Sequence, residues 1–373
     1  MEDKKRIKVL FISPYPTEGP SNRYRIEQYL PYLKKAGIDC TIQPFMNSDC
    51  YKIFYLPKKR LKKLIYFLYN VAQRFLAIYK AKDYDVVFIH LEAFPIGPPF
   101  LEWILAKVMR KPIIFDFEDA IYLKRKGTRS WLVNLIKRPW KFYDILRLSA
   151  HIMVCNQYMK ELVGRYNSNV TVIPTAIDTD KFIVKDLSLH NNKLILGWIG
   201  SPSTLPYLLH IKRPLQKISE KYNVALKIVG GGRDVKMPGV EVINEKWTLK
   251  NDIQSFQSLD IGLYPLPQDE RAMAKTPFKT IQYMSVGMPV VASQAGAIGN
   301  IIKDGINGFL ALTEEDWLKK LSILIENAQL RRDLGVEGRR TVEERYSVKG
   351  NAPKFLEILQ NVYDKRYLKT GKN

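Results

Sequence analysis

Residues 261–310 read IGLYPLPQDERAMAKTPFKTIQYMSVGMPVVASQAGAIGNIIKDGINGFL. The stretch opens on a short apolar run, Ile261–Leu263, which predicts a buried strand. A proline-bracketed loop follows. Thr276 is then a good helix N-cap, and Pro277 suits the first helical position. Ile281, Met284 and Ser285 fall on one helical face. Gly287 ends the helix, Pro289 prevents its return, and Val290–Ala292 reads as a second buried strand. Strand, loop, short helix, strand is the pattern of a parallel α/β sheet. The helix is expected to have an exposed amino end, where N–H groups and the dipole favour an anion. Lys275 and Lys279 flank that end and Arg271 is close by, so the segment reads as a diphosphate cradle. A capped surface helix with solvated lysines would carry the same residues.

Outward from this segment the same alternation continues. The first half predicts strands at Val9–Ser13, Cys40–Gln43, Val86–His90, Ile113–Phe115, Ile152–Cys155 and Val170–Ile173. The second half predicts Leu194–Ile199, Ala225–Val229, Val240–Ile243, Ile261–Leu263 and Val290–Ala292. These are two successive sets, each suited to an open sheet with helices on both faces. Residues 178–192 between them are polar, charged and without periodicity. The domain boundary is therefore expected near 187, giving domains 1–186 and 187–353. The tail reads as helices broken near Ser347–Pro353, with residues 354–373 packing back on the first domain.

A chain of 373 residues with 46% hydrophobic residues suits two domains of ordinary size. Its three cysteines, Cys40, Cys50 and Cys155, form no CxxC pair, and four His are scattered. That argues against a disulfide framework and a structural zinc site. No run reaches ~18 apolar residues, and the charged start leads straight into a short strand. A cytoplasmic protein is expected. Lys plus Arg exceeds Asp plus Glu by 22, which predicts attraction to polyanions: nucleoside diphosphates, anionic lipid or nucleic acid.

Residues 261–310 resemble the donor-binding half of glycosyltransferase family 4. Gly287, Pro289, Val290, Val291, Ala292, Ser293, Gly296, Asp304, Gly305, Asn307, Gly308 and Leu310 agree with that family in one register. The resemblance implies the GT-B fold: α/β, two Rossmann-like domains with parallel sheets facing across a cleft. It also implies a nucleoside-diphosphate sugar as donor, held mainly by the C-terminal domain. One departure stands out. The family commonly carries two acids in the pattern E-x7-E here, and the matching positions are Ala274 and Gln282. Gln282 could still hydrogen-bond a ribose hydroxyl, whereas Ala274 cannot hold a sugar. Lys275, Phe278, Lys279 and Gln282 fit a subset of the family with the pattern GKxxFKxxQYM, apart from its glycine.

Other loops after strands extend the site. Gly200-Ser201-Pro202-Ser203-Thr204 offers close backbone approach, amides and hydroxyls for phosphate, or a plain cap for the next helix. Gly230-Gly231-Gly232-Arg233 is a tight turn without dinucleotide spacing. Asn244-Glu245-Lys246-Trp247 matches the place where the family holds the base, with Trp247 able either to stack on it or simply to pack. In the first half, Ser21, Arg23 and Arg25 open a helix where the family faces phosphate and sugar. Strand four ends in Phe115-Asp116-Phe117-Glu118-Asp119. Crowded carboxylates raise one another's pKa and mark a candidate site, in which Asp116 and Asp119 would orient acceptor hydroxyls or take a proton. His90 is a further candidate, and a single His is as readily structural.

Residues 51–82 contain nine Lys or Arg and no acid. Positions 61, 64, 65, 68, 69, 72, 75, 76 and 79 trace an apolar helical face. A basic amphipathic helix reads as a contact with an anionic membrane surface, placing the protein at the inner face of the membrane. The alternative is that this face packs on the first domain.

The expected function is transfer of a sugar from a nucleoside-diphosphate sugar to a hydroxyl of a glycan or lipid-linked acceptor. The resemblance implies retention of configuration and no metal or other cofactor. Asp119, Asp116 and Lys275 are the expected catalytic residues. Gly200, Ser201, Ser203, Gly230, Lys246, Trp247, Arg271, Thr276, Phe278, Lys279 and Gln282 are expected to hold the donor. Other readings are a nucleotide-sugar epimerase on the same architecture and, given Ala274 and Gln282, a non-catalytic binding subunit. Nucleic-acid binding would explain the charge, but no binding module is present and the glycine–proline pattern would go unexplained; no nucleic-acid partner is expected.

Overall fold

The computed structural model describes residues 6–54, 59–123, 130–185, 193–268, 270–274 and 276–370. The chain divides into two units, Met1–Thr175 with Asn351–Asn373, and Ala176–Gly350.

The first unit is built on strands β1 (Ile7–Ser13), β2 (Ile38–Pro44), β3 (Val86–His90), β4 (Ile113–Phe117), β5 (His151–Val154) and β6 (Val170–Val172). They pair in parallel in the order β2-β1-β3-β4-β5-β6. β3 and β4 are buried at every position, as strands covered by helices on both faces must be. The order reverses between β1 and β3, so their ends at Ser13 and His90 open on a topological switch point.

The second unit holds β7 (Leu194–Ile199), β8 (Val224–Val229), β9 (Val242–Glu245), β10 (Ile261–Tyr264), β11 (Val290–Ser293) and β12 (Phe309–Ala311). Their order is β12-β11-β10-β7-β8-β9, again parallel throughout. The reversal here lies between β7 and β10, at Gly200 and Pro265. The core joins Leu196, Trp198, Leu226, Ile261, Leu263 and Val291 of the sheet to Leu215, Leu321 and Leu324 of its helices.

Three readings of the sequence are corrected. β12 was missed, because three residues between Gly308 and Leu312 give too short a run for a period to show. The division falls at 175/176, not at 187, and residues 186–192 lie outside the described ones. Ala176–Lys185 belongs with the second unit because Ile177 exchanges backbone hydrogen bonds with Tyr346 and Val348, and Lys185 pairs with Asp260 at 2.6 Å. The return to the first unit begins at Asn351, within one helix, Val348–Thr370, that runs through Pro353. Phe355 of that helix packs on Phe88 and Tyr29, with centroids 5.4 and 5.1 Å away, and Arg366 donates to the Asp85 carbonyl.

The 21-residue helix Arg60–Lys80 has its predicted apolar face turned outward. Leu61, Leu64, Ile65, Leu68, Tyr69, Phe75, Leu76 and Tyr79 are between 44% and 73% exposed. The buried face carries Asn70, Arg74, Ala77 and Ile78 instead. Apart from Phe75, which touches Phe94 and Phe100, this face does not pack on the first domain.

Candidate functional site

The carboxyl ends of β7, β8 and β9 are knitted together by backbone. The Gly200 N–H donates to the Val229 carbonyl at 3.0 Å, and the Gly230 N–H to the Glu245 carbonyl at 2.9 Å. Gly230 has φ +79°, and a Cβ there would lie 2.4 Å from the Gly200 carbonyl oxygen. Only glycine allows this approach. Trp247 follows β9, beside Gly230. It is half-buried, and its Nε1 donates to Asp252 at 2.7 Å. Lys246 is exposed. Ser201 and Ser203 are exposed and bond each other, Oγ to Oγ, at 2.9 Å.

The helix after β10 spans Phe278–Ser285, with Pro277 as its N-cap. It starts one residue later than expected, and its front is not exposed: Thr276 and Pro277 are buried. Thr276 does not cap it, and its hydroxyl has no hydrogen-bond partner among the described residues. The Thr280 hydroxyl, one turn on, is likewise buried and unpartnered. A buried hydroxyl without a partner is costly, and two at one helix front need an acceptor from elsewhere. In a β-loop-α-β path this front lies on the carboxyl edge of the sheet, the edge that carries Gly200 and Gly230. Tyr283 fixes it there. Its hydroxyl accepts from the Ile199 N–H at 2.9 Å, at the last residue of β7. Lys279 lies over the ring of Phe256, 5.3 Å from its centroid, on the Asp252–Gln257 helix that also anchors Trp247.

In the first unit, Arg25, Asp116 and His90 form a buried triad at the β3–β4 exit. Arg25 Nε donates to Asp116 Oδ2 at 3.2 Å, Nη2 donates to Oδ1, and Nη1 donates to the Ile173 carbonyl at 2.7 Å. His90 Nδ1 lies 2.7 Å from Asp116 Oδ2. His90 and Asp116 are register partners. Burial alone would raise the Asp116 carboxyl. The Arg25 guanidinium and the His90 hydrogen bond outweigh it and hold the carboxyl below its ordinary value. An ionised Asp116 only accepts, so Nδ1 is the protonated nitrogen. His90 Nε2 is left buried, without a partner among the described residues.

These two edges sit in a chain whose relatives are known. Residues 24–181 match the model of Glycosyltransferase Family 4, and residues 194–327 match that of Glycosyl transferases group 1. An uncharacterized glycosyltransferase of Methanocaldococcus jannaschii is 32% identical over 96% of this chain and 98% of its own. The chain belongs to glycosyltransferase family 4. Its fold is GT-B. HepE of Anabaena, solved in complex with UDP, aligns over 95% of the chain and 100% of its own with a TM-score of 0.65 and 14% identity. Sucrose-phosphate synthase of Thermosynechococcus elongatus aligns over 96% and 100%, with TM-score 0.67 and 14% identity. A glycosyltransferase of Rickettsia africae covers 96% and 99%, with 0.66 and 15%.

In this glycosyltransferase several expected site residues stand elsewhere than the sequence suggested. Arg25 and Asp116 are consumed by each other, 2% and 0% exposed, so neither is open to phosphate or acceptor. Asp116 instead positions His90. Arg23 is half-buried and donates to the Thr17 and Glu18 carbonyls, bracing the loop before its helix rather than reaching outward. Ser21 and Asp119 are half-buried. Gln282 is buried, within reach only of a ligand that penetrates the helix front, and Ala274 is buried too. Phe278 is half-buried. Lys275 lies outside the described residues, as does the Arg271 side chain. Part of the family motif is architectural. Asn307 ties the Lys303 N–H, the Ile301 carbonyl and the Thr341 hydroxyl together, and Asp304 accepts from the Leu310 N–H at 2.7 Å. Gly296 lets the backbone of Ala272 approach where a Cβ would lie 2.3 Å from its oxygen.

Two residues of consequence were not foreseen. Arg74, inside the basic helix, is fully buried and donates to the Ser13 carbonyl at the end of β1. Burial pushes its guanidinium down to about 9, still charged at neutral pH. Tyr283 is the other. Tyr283→Phe removes the acceptor of a buried N–H and is expected to cost about 1–3 kcal/mol of stability. Urea unfolding checks this: a loss under about 0.5 kcal/mol would mean the hydroxyl does not hold the helix to β7.

Proposed function

We propose that this glycosyltransferase moves a sugar from a nucleoside-diphosphate sugar to a hydroxyl of a glycan or lipid-linked acceptor, with retention of configuration. One observation carries the donor assignment. Tyr283 ties the Phe278–Ser285 helix to the β7 exit, leaving the Thr276 hydroxyl, buried and without a partner among the described residues, at the helix front on the edge that carries Gly200, Gly230 and Trp247. Amides, hydroxyls and a dipole on that edge suit a diphosphate, and Trp247 suits a base. HepE of Anabaena, of the same fold, is known with UDP, with UDP and glucose, and with UDP-glucose. The cations Lys275, Lys279 and Arg271, rather than a metal ion, oppose the charge of the departing diphosphate. In this reading Asp119 orients the acceptor, and His90 is held in place by Asp116.

The acceptor lies at a lipid surface. The Arg60–Lys80 helix turns its leucines, Tyr69, Tyr79 and Phe75 to solvent, with Lys59, Arg60, Lys62 and Lys80 beside them. Each basic residue near an anionic leaflet adds roughly 1 kcal/mol. Among the described residues no helix is long and apolar enough to cross a membrane.

A thermal-shift screen with UDP-, GDP-, ADP- and TDP-sugars tests the donor. A ligand at 100 times its Kd stabilises by about 2.7 kcal/mol, so one nucleotide class should raise Tm clearly. Product analysis with that donor is then expected to give a glycoside only when acceptor is present. A converted sugar nucleotide without acceptor would make the protein an epimerase. No shift with any of the four would contradict the donor assignment.

A further inference from the structure

The Arg60–Lys80 helix is not the only outward apolar helix of the first unit. The Ser130–Lys137 helix also points its large residues out: Trp131, Leu132, Leu135 and Ile136 are exposed, and so is Trp140 just after it. Both helices lie in acid-free basic sequence. Residues 51–82 hold nine Lys or Arg, residues 120–143 hold seven, and neither stretch contains Asp or Glu. Together they account for sixteen of the chain's surplus of 22 positive charges.

The structure joins the two helices. Phe75 of the first packs against Phe100, with ring centroids 6.0 Å apart, and Phe100 packs against Phe94 at 5.5 Å. From the same 94–100 segment the Gly97 N–H donates to the Ile136 carbonyl of the second helix at 2.8 Å. One aromatic bridge therefore carries two apolar faces, each flanked by exposed cations: Lys59, Arg60, Lys62 and Lys80 on one, Lys137 and Arg138 on the other. Exposed leucines and tryptophans beside lysines, in stretches that carry no carboxylate of their own, complement an anionic bilayer surface. The leucines enter the acyl boundary, the tryptophans sit at headgroup level, and the cations meet lipid phosphate.

We propose that the Ser130–Lys137 helix, with Trp140, is a second membrane foot that docks with the Arg60–Lys80 helix on one anionic leaflet. This rests on the membrane reading given above and adds a second element to it. The two feet fix the first unit's orientation. The inner face of the first foot carries Arg74, which holds the exit of β1, so the docked surface is one side chain away from the loop that opens the candidate site.

The test is vesicle flotation of the full chain with phosphatidylcholine vesicles containing phosphatidylglycerol, and with pure phosphatidylcholine as the control. Wild type is expected to float only with the anionic vesicles and to be released by high salt. Leu132→Glu with Ile136→Glu, both exposed positions, is expected to weaken partitioning at least about tenfold, with Tm unchanged. Brominated lipid should quench tryptophan fluorescence of wild type, and Trp131→Phe should remove a large part of that quenching. If Leu64→Glu with Leu68→Glu abolishes flotation while the Leu132/Ile136 variant floats like wild type, the second foot is wrong and the membrane reading stands. If wild type itself fails to float, both fall. A dimer in solution that the Leu132/Ile136 substitutions dissociate would also overturn the proposal, because the face would then be covered by a second copy.

Discussion

Replacing Arg25 with methionine is expected to destabilise the first unit by about 3–5 kcal/mol, since it strands the Asp116 carboxylate in a fully buried position. The pH dependence carries a sign. In the wild type the Asp116 carboxyl is held below its ordinary value, so its contribution is fully present above the unfolded value of ~3.9. It is lost as pH falls through the lower folded value. In the variant, burial is left with only His90 against it and the carboxyl rises, so the cost is greatest at neutral pH. The gap between variant and wild type is expected to narrow as pH falls, first through the variant's raised carboxyl value and then, below about pH 4, through the wild type's lowered one. Adding Asp116→Leu should recover part of the loss, because it removes the stranded charge while leaving the buried His90 Nδ1–H without its acceptor. Urea unfolding across pH checks both points. A single-variant cost under about 1 kcal/mol, or one independent of pH, would mean the triad is not the buried ion pair drawn from its geometry.

The second large effect concerns turnover. Alanine at each of Lys275, Lys279 and Arg271 is expected to identify at least one cation whose loss lowers kcat by about 10²–10³-fold while donor affinity falls much less. Charge on the nucleoside diphosphate grows as the glycosidic bond breaks, so a cation placed for it binds the transition state more tightly than the ground state. If all three variants kept kcat within about threefold, the leaving group would be stabilised by other means.

The sheets were legible in the chain because continuous Val, Ile and Leu runs such as Val86–His90 and Leu194–Ile199 have few other uses. The donor motif was legible through its glycines and prolines, which mark backbone geometry. What sequence could not show were pairings across distance. Arg25 and Asp116 are 91 residues apart, and each alone looks like an exposed site residue at a strand or helix end. Their burial is decided by the β3–β4 register, which brings His90 beside Asp116. Periodicity likewise found the apolar face of the Arg60–Lys80 helix but not its direction. The inward face uses Asn70 and Arg74, which no hydropathy pattern assigns to a core. The cap at Thr276 was placed one residue early, because Thr before Pro is a good cap by type. Here Pro277 occupies that place and the threonine is drawn inward.

The most direct measurement is a crystal structure of the chain soaked with whichever nucleotide-sugar raises its Tm. The account predicts the pyrophosphate oxygens within ~3 Å of Thr276 and the first turn of the Phe278–Ser285 helix, with the base against Trp247. Density for the nucleotide elsewhere, with the Thr276 hydroxyl still unpartnered, would contradict it.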